Sequence, residues 1–332
     1  MSVMLKGKKI LVAGGTGTIG IPLVKSLISL GSNVQVMSID SPKRAKTVFG
    51  TDVFFVKGDF RNYEVCNKAT KGKDIVINLI AVKGNSLKGV SNISNAFVTF
   101  LTCNTNLMEA AFRNDVERFL FVGSICEYPA IDFRHEDDLW HGPPQSNDRY
   151  TGIAKRAGEA QAEAYYQEYH WDAVRIVRPS NVYGPYDDFD PKTAQVIPAL
   201  INRMVNGENP VTVYGDGTAV RDFIYSEDVV LGMLLALEKA PCCLPINLGA
   251  GKGITIKKVA ENIANLVPSK PQIIWDKEKP IGDKKRVLIT DRAKEIINFV
   301  PNTSLNTGIK QTIEWYINNK DLANNRGKEL HN

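Results

Sequence analysis

The sequence is poor in the residues from which metal centres are built. Only four histidines and five cysteines occur among its 332 residues. No two cysteines have C-x-x-C spacing, and no histidine stands near a cysteine at metal-ligand spacing, so we expect no metal site. The cysteines are Cys66, Cys103, Cys126, Cys242 and Cys243.

Long apolar runs and strong charge are also absent. No segment is apolar enough to cross a bilayer and no secretory signal is visible, which predicts a cytoplasmic protein without membrane contact and with reduced thiols. The net charge is a modest +5 and the basic residues are scattered. Without a basic stripe interleaved with aromatic residues, nucleic-acid binding is not expected.

The first half of the chain alternates short apolar runs with amphipathic stretches. Such continuously apolar strands, separated by helices, predict an α/β fold with a doubly wound parallel sheet of the Rossmann type, covered on both faces. A helix is predicted over residues 18–30. The predicted strands are residues 10–13, 34–39, 53–56, 75–80, 119–122 and 174–177.

After Arg178 the sequence pattern changes: proline, glycine and asparagine become more frequent, and the predicted strands become shorter. Helices are predicted at residues 196–205 and 256–266. We therefore predict a dinucleotide-binding domain over residues 1–179 and a smaller α/β substrate lobe over residues 180–332. Segments around residues 219–249 are expected to return to the first domain.

A glycine-rich turn follows the first strand and opens the first helix. Gly14, Gly17 and Gly20 have the spacing that permits a tight turn and close approach to a pyrophosphate. Thr18 and Ile19 lie at the helix N-terminus, where free N–H groups and the helix dipole attract phosphate. In this strand–turn–helix context the motif predicts a bound dinucleotide.

The choice between NAD and NADP stays open. A carboxylate after the second strand suits the ribose hydroxyls of NAD, whereas cations there suit the 2′-phosphate of NADP. Ser38 occupies the position of the usual acid, and Asp40 comes two residues later. Asp40 suits the ribose, while Lys43 or Arg44 suits a 2′-phosphate.

The motifs together resemble the extended short-chain dehydrogenase/reductases, over nearly the whole chain and in family order. They are the glycine turn, Asp59, Ser124, Lys155, residues 178–185, 214–217, 221–222, 247–251 and 282–283. The resemblance implies that Asp59, with Phe60, contacts the adenine. Ser124 would hydrogen-bond the reacting sugar oxygen, and Lys155 would bind the nicotinamide ribose and lower the pKa of a nearby tyrosine.

Residues 123–129 and 183–200 are most similar to the GDP-L-fucose synthase branch of that family. This resemblance makes Cys126 a candidate acid/base for epimerisation, although a small buried hydrophobe is the commoner role of a cysteine. It also implies substrate contacts. One candidate is Asn181. The others are Arg203, Arg221 and Arg286, whose guanidinium groups suit a diphosphate; each of these three arginines also suits a surface ion pair.

Two positions depart from the family pattern. The catalytic tyrosine is expected four residues before Lys155, but that position holds Thr151 and the tyrosine is Tyr150, five residues away. Five residues turn a helix by about 140° from the shared face. Tyr150 serves as the acid if the helix start is locally distorted; otherwise the usual acid is missing. Gln195 stands where the family has a second epimerisation residue, a histidine.

These observations predict an NAD(P)-dependent nucleotide-sugar epimerase or 4-keto reductase, with hydride transfer at a sugar carbon, C4 by family precedent. The substrate would be a GDP-sugar or another NDP-sugar. The alternative is a non-catalytic or regulatory protein that binds the same ligands. The resemblance also implies a homodimer formed through residues 94–112 and 150–169.

Overall fold

The computed structural model describes residues 4–81, 93–279 and 282–324. The strands are β1 (Lys9–Ala13), β2 (Asn33–Ser38), β3 (Phe54–Lys57), β4 (Ile75–Asn78), β5 (Arg118–Val122), β6 (Phe133–Arg134), β7 (Val174–Pro179), β8 (Asn181–Tyr183), β9 (Val211–Tyr214), β10 (Val220–Tyr225), β11 (Pro245–Leu248), β12 (Gly253–Thr255), β13 (Ile273–Asp276) and β14 (Lys285–Leu288). Seven of these strands form one wholly parallel sheet in the order β3-β2-β1-β4-β5-β7-β11.

Helices cover both faces of this sheet. The α-helices are α1 (Gly20–Ser29), α2 (Pro42–Phe49), α3 (Tyr63–Thr70), α4 (Ile93–Arg113), α5 (Arg149–Tyr169), α6 (Val196–Val205), α7 (Ser226–Lys239), α8 (Ile256–Leu266), α9 (Asp291–Ile297), α10 (Leu305–Asn318) and α11 (Lys320–Asn324). Helices α1, α2, α7 and α9 contribute to the core on one face, and α3, α4 and α5 to the core on the other.

The central strands are buried from end to end, as continuously apolar sequence predicts. Strands β4 and β7 are buried at every residue, and β1 and β5 at every residue except the first. Only a sheet with both faces covered hides such strands, and helices joined by crossover connections provide that cover. The predicted doubly wound α/β fold is confirmed.

A second group of strands forms around a separate core. Strand β10 pairs with β12, β14 and β8, and β14 also pairs with β6. Strands β9 and β13 form a two-stranded parallel sheet. Helices α6, α8 and α10 pack over this core.

The chain passes between the two groups of strands more than once. Strand β11 joins the large sheet after β10 has joined the small one, and β6 joins the small sheet before β7 returns to the large one. The boundary near residue 180 remains a prediction. Within the described ranges, no helix combines the length and apolar character needed to span a membrane.

Candidate active site

The glycine turn is shaped as a close-packed cradle at the edge of the large sheet. Gly14 has φ +80°, and a Cβ there would lie 3.0 Å from the carbonyl oxygen of Leu79. A Cβ on Gly20 would lie 2.5 Å from the backbone of Gly15, so α1 begins directly on the turn. The N-cap residue of α1 is Ile19, whose apolar side chain makes no capping hydrogen bond to the first N–H groups of the helix. These features fit a dinucleotide pyrophosphate.

The residues after β2 form a tight polar group. Thr16 donates to Ser38 at 3.2 Å and also to Asp40. The Arg44 guanidinium donates to the carbonyl oxygen of Thr16 at 3.2 and 3.3 Å and lies 3.8 Å from the Asp40 carboxylate. Arg44 is therefore buried and braces the glycine turn, while Asp40 is the more accessible of the pair.

The acidic residue after β3, Asp59, pairs with a neighbour in the sequence. Asp59 forms an ion pair with Arg61 at 2.5 Å, and this hydrogen bond lowers the pKa of the Asp59 carboxyl. Phe60 is buried, with only 4% exposed. The predicted adenine contact of these two residues remains a prediction.

Lys155 lies where the carboxyl ends of two central strands meet. Its Nζ donates to the carbonyl oxygens of Val122 at 2.7 Å and Ile80 at 3.4 Å. It is buried, and burial lowers the pKa of the ammonium from 10.5 to about 8. Ile80 also lies against the glycine turn at Gly14. The fold therefore brings the lysine and the glycine turn to one sheet edge, the usual ligand position in such folds.

Ser124 and Cys126 lie on the short 3₁₀ helix Ile125–Glu127 that follows β5. Ser124 caps it by accepting from the Cys126 N–H at 3.1 Å. Burial raises the pKa of the Cys126 thiol to about 12, with Asp148 adding to the effect. A thiol of this kind stays protonated at neutral pH.

Tyr150 stands on the first turn of α5, which shows a regular helix from Arg149. Its ring meets Phe97 of α4 edge-on at 6.0 Å, and the residue is 47% exposed. A Cβ on Gly152 would lie 2.5 Å from the Cys126 carbonyl oxygen, so the Gly152 side of the helix faces the Cys126 loop. On a regular helix Thr151, rather than Tyr150, shares the face of Lys155. Tyr150 as the acid remains a prediction.

Three arginines converge beside Cys126. Arg286 pairs with Asp148 at 2.6 Å and with Asp283 at 2.8 Å, and Arg134 pairs with Asp283 at 3.0 Å. Burial lowers the pKa of Arg221 to about 10, and the charges of Arg286 and Arg134 add to that effect. Three guanidinium groups and two carboxylates of the described residues therefore lie close together in this cluster.

The other two predicted substrate residues lie in different surroundings. Arg203 on α6 forms an ion pair with Glu208 and donates to the carbonyl oxygen of Thr212 at 2.8 Å. Asn181 donates to the carbonyl oxygen of Asp222 at 2.7 Å, which ties β8 to β10. Both assignments remain predictions.

Sequence reasoning missed several charged residues of this region. Arg134 and Glu127 are completely buried, and Asp148 immediately precedes α5. Asp283 belongs to a motif that had been noted, but its partners were not foreseeable. A charged residue inside an otherwise apolar segment, such as Glu127 between Cys126 and Tyr128, was the available signal.

Comparisons with known proteins show the family to which the chain belongs. Residues 10–249 match the model of the NAD dependent epimerase/dehydratase family. A GDP-L-fucose synthase from Sinorhizobium fredii is 30% identical over 95% of this chain and 98% of its own length. A putative GDP-L-fucose synthase 2 from Arabidopsis thaliana is 29% identical over 95% of this chain and 93% of its own.

Solved structures show the same fold. An epimerase from Methanothermobacter thermautotrophicus has a TM-score of 0.87 at 24% identity, covering 97% of this chain and 96% of its own. The UDP-glucose 4-epimerase of Thermotoga maritima, solved with UDP-glucose, has a TM-score of 0.82 at 26% identity. The match covers 94% of this chain and 99% of the epimerase chain. The resemblance predicted from the motifs is confirmed. The chain belongs to the NAD-dependent epimerase/dehydratase family and is an NAD(P)-dependent enzyme of that class.

Proposed function

We propose that the protein is a nucleotide-sugar epimerase or 4-keto reductase that transfers a hydride at C4 of a GDP-sugar or another NDP-sugar. The observation that carries this proposal is the cluster of Arg134, Arg221 and Arg286 beside Cys126. Planar guanidinium groups bind diphosphate bidentately, and this cluster brings three of them together. GDP is favoured because the curated relatives are named GDP-L-fucose synthases.

The chain's own residues support the chemistry at the sugar. Bound NAD(P) would supply or accept the hydride. Ser124 would orient the reacting oxygen through its hydroxyl, and the Lys155 ammonium would favour negative charge that develops nearby. The Cys126 thiol, protonated at neutral pH, would supply a proton but is a weak base. Reduction of a keto sugar requires one donated proton, which this set provides without a titratable group at Gln195.

A binding assay with matched variants tests the diphosphate site. Thermal unfolding is followed with GDP, GDP-sugars, UDP-sugars, NAD and NADP, because a ligand that binds the native state raises Tm. Arg221→Gln should abolish the shift by the nucleotide sugars and preserve the shift by the dinucleotide. Arg203→Gln, on the same lobe but paired with Glu208, is the control. Equal loss in both variants, or no shift by any nucleotide sugar in the wild type, would refute the proposal.

The exposed position of Tyr150 favours a second candidate, a non-catalytic protein that binds the same ligands. Turnover of a GDP-4-keto-6-deoxy sugar with NADPH, or of GDP- and UDP-sugars with NAD, distinguishes the two. Tyr150→Phe should reduce turnover if Tyr150 is the acid. If turnover is unchanged the acid is another group, and if the wild type binds but does not turn over, the non-catalytic function is supported.

We also propose a cytoplasmic homodimer. All five cysteines are free, which suits a reducing compartment. Among the apolar residues of α4 within the range 94–112, Phe100, Leu107 and Met108 are buried within the chain, whereas Phe97 and Leu101 are half-buried. Sedimentation analysis of the wild type and of Val98→Glu, which alters the 56% exposed Val98 on the same helix, tests this interface.

A further inference from the structure

Glu127 is a buried carboxyl group that the proposed chemistry leaves without a role. It ends the short 3₁₀ helix after β5, and its exposure is 0%. A Cβ on Gly123 would lie 2.5 Å from Glu127 Oε1, so the carboxyl group packs against the chain that follows Val122. The carbonyl oxygen of Val122 is the one that holds Lys155. Glu127 therefore lies in the wall of the lysine site.

Neither carboxyl oxygen of Glu127 receives an N–H or O–H within the described part of the chain. Arg178 comes nearest, with its Nε 3.5 Å away, but its Nε and Nη2 donate to Glu159 at 2.8 and 2.6 Å. Arg156 donates to the backbone carbonyl of Glu127, at 2.7 Å, and not to its carboxyl group. An ionised carboxylate buried without donors is strongly unfavourable.

A proton on the Glu127 carboxyl group removes the cost of burying an ionised carboxylate there. The Glu127 carboxyl group is within hydrogen-bonding reach of Glu159, so one bound proton lets Glu127 donate to a carboxylate that Arg178 already neutralises. Burial, together with Glu159, raises the pKa of Glu127 well above its ordinary value, against the opposing effects of Arg178 and Lys155. Paired carboxyl groups that share one proton are the expected result of such proximity.

We propose that Glu127 is a neutral, proton-bearing positioning residue that donates a hydrogen bond to Glu159, so that no carboxylate among the described core residues pairs with the charge of Lys155. An ionised Glu127 would be an anion beside Lys155 and would hold the ammonium charge inside the protein. With Glu127 neutral, that charge is directed to a ligand at the sheet edge. The role of Lys155 rests on the proposed function, whereas the proton on Glu127 does not.

Infrared spectroscopy of protein with ¹³C-carboxyl-labelled glutamate detects this proton directly. Wild type at pH 7 should show the C=O stretch of one protonated carboxyl group, and Glu127→Gln should lack it. Glu136→Gln is the matched control, because Glu136 is equally buried but accepts from the Asn247 N–H at 2.9 Å; it should keep the band. Absence of the band in wild type, or its persistence in Glu127→Gln, would overturn the proposal. The wild-type spectrum decides even if the variant fails to fold.

The pKa of Lys155, measured by NMR titration without any nucleotide sugar, gives a second readout. In Glu127→Gln it should equal the pKa measured for Lys155 in the wild type, because glutamine replaces a carboxyl group that is already neutral. If Glu127 were ionised, its removal would lower that pKa by more than about one unit, a tenfold change in the proton affinity. Such a fall refutes the proposal. Since neither measurement uses substrate, failure of the proposed function would leave both results interpretable.

Discussion

Replacing Lys155 by methionine should make the folded protein more stable at neutral pH, although it removes a site residue. Burial lowers the pKa of Lys155 from 10.5 to about 8. At pH 7 the lysine is charged in both states, so the native state bears the cost of burying the charge. Each pKa unit corresponds to about 1.4 kcal/mol, so this difference destabilises the native state by about 3 kcal/mol relative to neutral lysine.

The substitution also has an unfavourable part. Nζ donates to the carbonyl oxygens of Val122 and Ile80, and buried acceptors that lose a donor cost about 1–3 kcal/mol. The expected net effect at pH 7 is a gain of about 1 kcal/mol. Between pH 8 and 10.5 the unfolded lysine is protonated and the folded one is not, so wild-type stability rises with pH relative to the variant. Near pH 10 the variant should be the less stable protein, by about 1–2 kcal/mol.

Urea unfolding of both proteins at pH 7 and pH 10 measures this change of sign. Other titrating groups are common to the two proteins, so they cancel in the difference. A variant that is less stable by the same amount at both pH values would refute the depressed pKa of Lys155. Lys25→Met, at a lysine on α1 that donates to the Tyr186 hydroxyl near the surface, is the matched lysine-to-methionine control.

Three further predictions address packing, thiol reactivity and cofactor choice. Gly158→Ala should destabilise the protein by about 1–3 kcal/mol in urea unfolding, because the new Cβ would lie 2.4 Å from the Phe121 ring; equal or greater stability would contradict the close packing of α5 on β5. A hydrogen bond from Cys243 lowers the pKa of Cys242, whereas burial raises the pKa of Cys66 to about 12. Iodoacetamide should therefore alkylate Cys242 well before Cys66, and mass spectrometry of digests taken at early times shows which cysteine reacts first. Asp40→Asn should shift the preference toward NADP by about tenfold in kcat/KM, since a carboxylate near the ribose repels the 2′-phosphate; an unchanged ratio places the ribose elsewhere.

Much of the architecture could be predicted because it depends on local patterns. Short, continuously apolar segments such as residues 119–122 are typical of buried strands, and the observed β5 covers Arg118–Val122. The amphipathic helices α6 and α8 have the predicted bounds. Strand β6 has only two residues and no apolar pattern, so it was not predicted. Its place is decided by pairing with β14, more than 140 residues later in the sequence.

In the candidate site, too, some features could be predicted from local sequence patterns and others could not. The glycine turn and Lys155 were predictable because a strand–turn–helix and a helix register are local features. The surroundings of Glu127 and of the three arginines were not, because their partners come from distant parts of the chain. Arg286 meets Asp148 across 138 positions and Arg134 meets Asp283 across 149. Only the folded chain decides which opposite charges become neighbours.

The sequence by itself determined the parallel sheet, the family and the displaced Tyr150. Each of these follows from short sequence patterns, namely the apolar runs, the motifs and the spacing between Tyr150 and Lys155. Within such a pattern, the spacing of residues decides which side chains share a face of a helix or strand. The tertiary structure decided how charge is distributed in the core. It placed Lys155 against strand carbonyls and paired Arg178 with Glu159, and among the described residues no group donates to the Glu127 carboxyl group. Burial and proximity, which no local pattern encodes, set these protonation states.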